Sequence, residues 1–325
     1  MNLLATFLQR AILQGVPILY GASGEILTEK SGNLNLGIPG IMYMGGVSGL
    51  IAAFFYERAA GERASGLAGL MLSLGAALLI SMLAGLLYSF LTVTLRANQN
   101  VVGLSLTTFG VGFGNFFGGS LSQLAGGVGQ ISTKLTAAAY RQSLPGLSKL
   151  PFVGKAFFSF LTYFSIILAL CLAFVLTGTR KGLEIRAVGE DPAAADAAGV
   201  DVNRVKYVST VLGAALAGLG GLCFVMEYLG GTWANDGFGD RGWLAVALVI
   251  LSVWNARKAI WGSFLFGGLY ILYLYIPGLN RSAQELFKML PYLATILVLI
   301  QTGRRNRAED QPPASLGLSY FREER

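Results

Sequence analysis

Long apolar runs recur along the whole chain and constrain its fold more than any other feature. A helix needs about 20 largely apolar residues to cross a membrane. Nine such runs can be marked, at roughly 4–27, 35–55, 67–95, 101–119, 157–178, 206–228, 241–255, 259–277 and 286–302. We therefore expect an all-α, polytopic membrane helix bundle of about nine spans (8–10) over residues 1–302, followed by a flexible tail at 303–325.

The composition excludes an ordinary water-soluble protein and argues against an enzyme. Only 13% of the 325 residues are charged, whereas a soluble domain carries about 25%. The chain has no histidine, which removes the commonest metal ligand and the commonest general base at neutral pH. Cys171 and Cys223 lie in apolar runs and are expected to be free. We predict no metal site, no catalytic residue and no cofactor in this chain.

Basic residues indicate how the bundle is oriented. Lysine and arginine concentrate in the segment 180–206 and just after the last apolar run, at Arg304, Arg305 and Arg307. Because cytoplasmic loops carry the excess of Lys and Arg, both regions are predicted to be cytoplasmic and the N-terminus external. The long segment 120–156 then lies outside, either as a plain connector or as a docking surface for an external partner.

Two stretches interrupt the apolar pattern with glycines and polar residues. The first, 24–40, reads GEILTEKSGNLNLGIPG, and the second, 227–242, reads EYLGGTWANDGFGDRG. Each is either an ordinary loop or a helix broken at membrane depth, which is tolerated where the backbone is buried in protein or lines a cavity. Broken helices mark substrate sites in transporters. The spacings Glu29/Gly32 and Glu227/Gly230 also hint at an internal duplication.

Amides and hydroxyls close to these interruptions are candidates for the pathway of an uncharged polar solute. Buried amides require partners, so these side chains either form hydrogen bonds between helices or line the pathway. The predicted pathway residues are Glu25, Asn33, Asn35, Asn98, Gln99, Asn100, Thr107 and Asn115.

A short helix is predicted inside the cytoplasmic segment 180–206. Asp191 can cap its first N–H groups and Pro192 fits its first turn, while Gly199 is placed to end it. An isolated helix of this length is unstable in water. Unless the segment is a solvated turn, either the rest of the chain or a cytoplasmic partner must hold it.

Three segments resemble one known family. GLEIRAVGEDPAAADAAGVDVNRVK at 182–206 is similar to the coupling loop of ABC-importer permeases of the branched-chain amino acid, ribose and nucleoside group. EKSGNLNLGIPGIMYM at 29–44 and ANQNVVGLSLTTFG at 97–110 resemble the nucleoside and simple-sugar branch, and in particular its shorter permease. The resemblance extends over about residues 3–302, although Pro39 stands where the family usually has an acidic or hydrophobic residue.

The resemblance implies the ABC-importer permease fold with broken helices, in the inner membrane, and a nucleoside or simple-sugar cargo. It implies a coupling helix at 189–199 that enters a cleft of a separate ATPase, which holds ATP and Mg. The further implied partners are a second permease, usually a different chain, and an external solute-binding protein. The predicted coupling residues are Arg186, Gly189, Glu190, Asp191, Pro192, Ala194, Ala195, Ala198 and Gly199.

The source of energy is constrained by a missing motif. The sequence contains no G-x-x-x-x-G-K-[ST] phosphate loop, so energy must come from another subunit or from an ion gradient. The alternative function is an ion-coupled secondary transporter of a small polar solute, in which Glu25, Glu29, Glu227 or Asp240 would carry the ion.

Overall fold

The computed structural model describes residues 3–124, 132–142, 159–305 and 311–321, and regular structure in these ranges is helical. Of the predicted external segment 120–156, residues 125–131 and 143–156 lie outside the described residues, as do 306–310 and 322–325 of the tail. The α-helices are α1 Leu3–Glu29, α2 Ile38–Ala60, α3 Gly66–Ser89, α4 Gln99–Leu124, α5 Lys134–Arg141, α6 Phe160–Gly178, α7 Arg180–Glu190, α8 Pro192–Ala197, α9 Val202–Cys223, α10 Arg241–Leu251, α11 Ala256–Ile271, α12 Arg281–Lys288 and α13 Leu290–Arg305.

The predicted membrane bundle is confirmed, while the predicted number of spans is only approximate. Seven helical segments of the described ranges are long and apolar enough to cross a membrane: Leu3–Glu29, Ile38–Arg63, Gly66–Thr94, Gln99–Ser120, Phe160–Gly178, Val202–Tyr228 and Arg281–Arg304. The remaining two predicted spans correspond to α10 and α11, which have 11 and 16 residues. Since a span needs about 20 residues, α10 is too short to cross alone. Helix α11 continues directly into the 3₁₀ turn Leu272–Tyr275, and it lies along α1 from Trp254, which contacts Glu29, to Tyr275, which contacts Phe7.

Helices α2 and α9 form the centre of the bundle. In each, 78% of the most apolar stretch is buried inside the protein, compared with 33% for α3 and α4 and 11% for the segment that contains α13. Glycine permits this close packing. A Cβ atom built on Gly24 of α1 would lie 2.2 Å from the Gly213 carbonyl oxygen of α9, and one on Gly221 of α9 would lie 1.9 Å from the Met42 carbonyl oxygen of α2. The backbones touch because small residues allow it.

The helices α3 and α9 end in the same way. Each passes into one π-helical turn, at Phe90–Thr94 and at Phe224–Tyr228, and each turn is followed by a leucine and then by a left-handed residue, Arg96 (φ 57°) or Gly230 (φ 72°). The corresponding hydrogen bonds are Leu95 N to Phe90 O (3.0 Å), Ala97 N to Leu91 O (2.9 Å), Leu229 N to Phe224 O (3.0 Å) and Gly231 N to Val225 O (2.9 Å). The local likeness therefore relates the end of α9 to the end of α3. In the Glu29/Gly32 and Glu227/Gly230 spacing both glycines are left-handed (φ 85° and 72°), and an internal duplication stays a prediction.

Part of the tail is in contact with the bundle. The sequence predicts a flexible tail at 303–325, but α13 continues to Arg305, and residues 311–321 pack against the segments around α1, α4, α7 and α8. These contacts join residues far apart in the chain, so no local pattern could indicate them. Flexibility of the tail as a whole stays a prediction.

Candidate functional site

The short helix predicted within 180–206 forms as α8. The Asp191 side chain caps it, because its Oδ1 accepts hydrogen bonds from the N–H groups of Ala193 and Ala194, both at 3.0 Å. The helix ends at Ala197, and Gly199 follows in the left-handed conformation (φ 84°). A polar cap and a left-handed glycine are the usual limits of a helix, so the sequence determines both ends of α8 locally.

The rest of the chain holds α8 in place. Ala195 is buried with Val188 and Val202 in a small apolar cluster that is separate from the main core, and Tyr320 of the tail packs against it. The Tyr320 hydroxyl also donates a hydrogen bond to Asp196 Oδ2 (2.8 Å). A six-residue helix has too little stability of its own, and these contacts supply what it lacks.

The predicted coupling residues divide between an exposed and a buried side. Exposed in the described structure are Glu190, Asp191, Ala194, Ala198 and Gly199; Arg186 and Pro192 are half-buried, and Gly189 and Ala195 are buried. The exposed members form a surface around α8 that another protein can contact. Their role in coupling stays a prediction.

Gly189 shows what the buried side contacts. A Cβ atom on this residue would lie 2.3 Å from the Lys30 carbonyl oxygen, so α7 touches the connection between α1 and α2 directly. Burial lowers the pKa of the Lys30 side chain below its usual value, and attraction to Glu190 offsets part of that effect. The two segments that the sequence singled out separately therefore meet at one end of the bundle.

A large groove opens beside α8, with a volume of about 1200 Å³. Aliphatic side chains of α6 and α9, such as Leu172 and Leu212, form its walls. Charged side chains also line it: Arg180, Lys181, Glu184, Glu190, Asp191, Asp201 and Arg204. Three of them are basic and four are acidic, so the groove does not select strongly for one sign of charge.

The connection between α1 and α2 is a buried, non-helical segment. Its backbone is satisfied by side chains of other helices: Gln99 Oε1 accepts from Leu34 N (2.7 Å), Thr107 Oγ1 donates to Leu36 O (2.6 Å), and the Tyr88 hydroxyl donates to Leu34 O. Such partners are needed because irregular backbone in a membrane cannot rely on water. Gln99 and Thr107 thus form hydrogen bonds between segments, which is one of the two roles expected for polar side chains here; the other is lining of the solute pathway.

Asn33 and Asn35 are buried in the same connection. Asn33 Nδ2 donates to Thr210 Oγ1 of α9 (2.9 Å), and Asn35 Oδ1 accepts from Gly37 N (3.0 Å) just before α2 begins. Within the described residues, Asn33 Oδ1 and Asn35 Nδ2 have no hydrogen-bond partner, whereas the Glu25 carboxyl lies beside the Glu29 carboxyl and the Asn35 backbone. Glu25 is fully buried, one turn before Glu29, which accepts a hydrogen bond from the Trp254 indole. Unmatched polar atoms in a buried place are where a polar solute or water is expected.

The other predicted pathway residues lie elsewhere. Asn98 and Asn100 are exposed, and Asn98 Oδ1 accepts from Val101 N (3.1 Å) in the first turn of α4. Asn115 lies farther along α4, where Nδ2 donates to Asp236 Oδ1 (2.8 Å) and Oδ1 accepts from Asp236 N (3.1 Å). The eight residues therefore do not form one site, and lining of a pathway stays a prediction for each.

The second interrupted stretch contains a group that sequence reasoning did not identify as a site. Arg241, only 7% exposed, lies over the rings of Phe224 (4.4 Å), Tyr270 (5.1 Å) and Tyr228 (5.3 Å). Its guanidinium donates to Phe238 O (2.8 Å) and to Gln14 Oε1 (3.1 Å). The sequence offered one signal for it, an arginine in a glycine-rich stretch between apolar runs. Its partners could not be predicted, because they come from distant parts of the chain. Arginine and aromatic faces attract each other most when shielded from water, so Arg241 fixes the entry to α10.

The first turns of α2 and α10 meet at Pro39. A Cβ atom on Gly242 would lie 2.5 Å from the Pro39 Cα atom, so the ring of Pro39 fits because residue 242 has no side chain. Proline is compatible with a first turn, where its missing N–H is not needed. The departure from the family pattern at Pro39 is thus accommodated by the partner helix.

Comparisons with the sequences of known proteins place the chain among transporter permeases. A family model described as "Branched-chain amino acid transport system / permease component" matches residues 7–299. The chain is 29% identical to the guanosine ABC transporter permease protein NupQ of Bacillus subtilis, over 100% of this chain and 99% of the relative. It is 31% identical to the nucleoside ABC transporter permease protein NupC of Lactococcus lactis, over 92% of each. A putative glucose ABC transporter permease protein of Haloferax volcanii, TsgC13, is 28% identical over 99% of each chain.

Proposed function

The chain belongs to the branched-chain amino acid transport system / permease component family, and from that premise we propose that it imports nucleosides, with simple sugars as the second cargo class. It is a multi-pass membrane subunit of an ABC system, which also includes an ATPase and a solute-binding protein. The single observation that carries the cargo proposal is likeness over nearly the full length to relatives named for guanosine and nucleosides.

In the proposed mechanism, ATP hydrolysis and solute translocation take place in different chains. ATP and Mg are held by the ATPase, and this chain contributes no catalytic residue. The ATPase docks on the exposed residues around α8, and its closure displaces α8. Because Gly189 touches the backbone at Lys30, this displacement reaches the connection between α1 and α2. A second permease, a different chain, completes the translocation pathway.

The proposed orientation places α8 in the cytoplasm and the N-terminus outside. The helix α8 and residues 311–321 of the tail lie at the same end of the bundle, since Tyr320 contacts Asp196. The basic residues of 180–206 support a cytoplasmic position for this end. The buried acids of α1 are the remaining argument for ion coupling, but the relatives named above are permeases of ABC transporters.

The test is uptake by the complete complex in proteoliposomes, with guanosine, adenosine, ribose, glucose and leucine as competitors. We expect ATP-dependent guanosine uptake that nucleosides compete for and that ionophores leave unchanged. Replacing residues 190–199 by a flexible linker is expected to abolish uptake, whereas the same replacement at the external turn 61–65 is a matched control. Uptake that persists without α8, or that collapses with an ionophore while ATP is present, would contradict the proposal.

A further inference from the structure

The tail segment, defined as residues 311–321, bridges α7 and the connection between α1 and α2. Ser315 N donates to Gly189 O (3.0 Å), and the Ser315 hydroxyl donates to the same oxygen (2.6 Å). Two residues later, Gly317 N donates to Gly32 O (3.2 Å). Gly189 touches this connection at the Lys30 carbonyl oxygen, and Gly32 lies beside it, since a Cβ atom on Gly32 would lie 3.4 Å from the Gly189 Cα atom. The tail segment therefore joins them across their contact.

The far end of the tail segment reaches the coupling helix and the start of α4. Tyr320 bonds Asp196 of α8 and covers the apolar cluster beneath that helix. The Phe321 ring lies 4.6 Å from the guanidinium carbon of Arg96, just before α4. Gln99 Nε2 donates to Leu318 O (3.4 Å), while Gln99 Oε1 accepts from Leu34 N. One glutamine thus holds both the tail segment and the connection between α1 and α2.

These contacts are specific and not a loose covering of the surface. Pro313 and Ser315 are buried, and the segment forms no helix or strand of its own. Fixing an irregular segment is entropically unfavourable, so it stays in place only through bonds to other parts of the chain. Those bonds go to three separate connections, each of which interrupts or precedes a membrane helix.

We propose that the tail segment is a positioning element for coupling. It keeps α8 attached to the connection between α1 and α2 and to the start of α4, so that a displacement of α8 moves all three together. Ser315 and Tyr320 are the positioning residues, because each bonds a different side of the coupling region. This inference rests on the proposed function, in that α8 is taken as the place where the ATPase acts.

The first experiment measures docking of the tail segment by hydrogen exchange in the assembled complex. Ser315→Ala removes the hydroxyl bond to Gly189 O, and a net loss of one hydrogen bond corresponds to about fivefold in the docked population. We expect the amide of Gly317 to exchange about fivefold faster. Ser319→Ala, the same change at a residue four positions on, is the matched control and should leave this rate unchanged. Equal rates in Ser315→Ala and wild type would overturn the role of Ser315.

The second experiment measures ATP hydrolysed per guanosine imported in proteoliposomes. For Tyr320→Ala and for a chain that ends at residue 310, we expect at least about a fivefold rise in this ratio, with the KM for guanosine unchanged. Tyr320→Phe keeps the packing on the cluster and should lie between wild type and Tyr320→Ala. A purely stabilising role would lower the yield of complex but leave the ratio unchanged, and that result would overturn the proposal.

Two further outcomes separate this inference from the proposed function. If the shortened chain no longer binds the ATPase, the tail segment serves docking and the coupling proposal is wrong. If the wild-type complex imports no guanosine, the cargo proposal fails, and the tail segment is then judged by the stimulation of ATP hydrolysis by the solute-binding protein. Loss of that stimulation in Tyr320→Ala supports the inference, and full stimulation contradicts it.

Discussion

The cap of α8 offers the sharpest test of how local structure supports coupling. In Asp191→Ala, the N–H groups of Ala193 and Ala194 lose the carboxylate oxygen that both contact at 3.0 Å. Removing an N-cap of this type costs about 1 kcal/mol, which is a factor of roughly five in an equilibrium constant. Because α8 has only six residues, most of this loss is expected to appear as a lower population of the folded helix.

The assay is the dissociation constant of the ATPase for the permease complex in lipid nanodiscs. We expect binding to be about fivefold weaker in Asp191→Ala. Asp191→Asn is the matched control, because asparagine caps as well as aspartate; it should stay within about twofold of wild type, the difference being the charge–dipole effect. Hydrogen exchange at Ala198 N, which bonds Ala194 O at 3.0 Å, reports the helix independently.

Two results would refute this reasoning. If Asp191→Ala binds the ATPase as wild type does while exchange at Ala198 is faster, the folded helix is not what the ATPase recognises. If Asp191→Asn weakens binding as much as Asp191→Ala, the carboxylate contacts the ATPase through its charge and the cap is incidental.

Three further predictions concern packing, charge and the second interrupted stretch. Gly24→Ala should destabilise the bundle by about 1–3 kcal/mol through overpacking, seen as a lower melting temperature in detergent. At Gly75 an added Cβ meets nothing within 4 Å, so Gly75→Ala should be neutral or stabilising. Equal effects of the two changes would contradict the close contact between Gly24 and Gly213. Burial lowers the pKa of Lys30, so between that pKa and the usual lysine value the unfolded chain binds more protons than the folded one. The stability of the fold should therefore rise with pH through this window. Lys30→Met should flatten the rise, and an unchanged slope would show that Lys30 is solvated. Asn115→Asp should reduce uptake because it places two carboxylates together. Adding Asp236→Asn should restore uptake, because the side-chain bond re-forms in the reverse direction and the N–H of residue 236 still donates to the side chain at 115. Failure of the double variant would mean that the pair does more than join α4 to residue 236.

Local patterns predicted the features that depend on neighbours in sequence. The membrane helices follow from the lengths of the apolar runs, and both ends of α8 follow from Asp191 and Gly199. The same logic explains why the predicted number of spans is only approximate. The run at 241–255 is shorter than a membrane span, and its helix α10 ends at Leu251, just before the turn at Val253 and Trp254, both at positive φ.

Features that depend on contacts between distant residues could not be predicted from the sequence. The hydrogen bonds from Asn33 to Thr210 and from Leu34 to Gln99 form only when α4 and α9 pack around the connection between α1 and α2. The sequence indicated that these amides would need partners, but not whether protein or solute supplies them. Arg241 is the clearer omission, because the three rings that surround its guanidinium come from two different parts of the chain.

The glycine contacts between α1, α2 and α9 also limit how the permease can move. Where a carbonyl oxygen occupies the space of an absent side chain, as at Gly24 and Gly221, sliding one helix along another by part of a turn would push that oxygen into a neighbouring residue that has a side chain. Alternating access is therefore expected to carry these three helices as one body, with the rearrangement at their boundaries with peripheral helices.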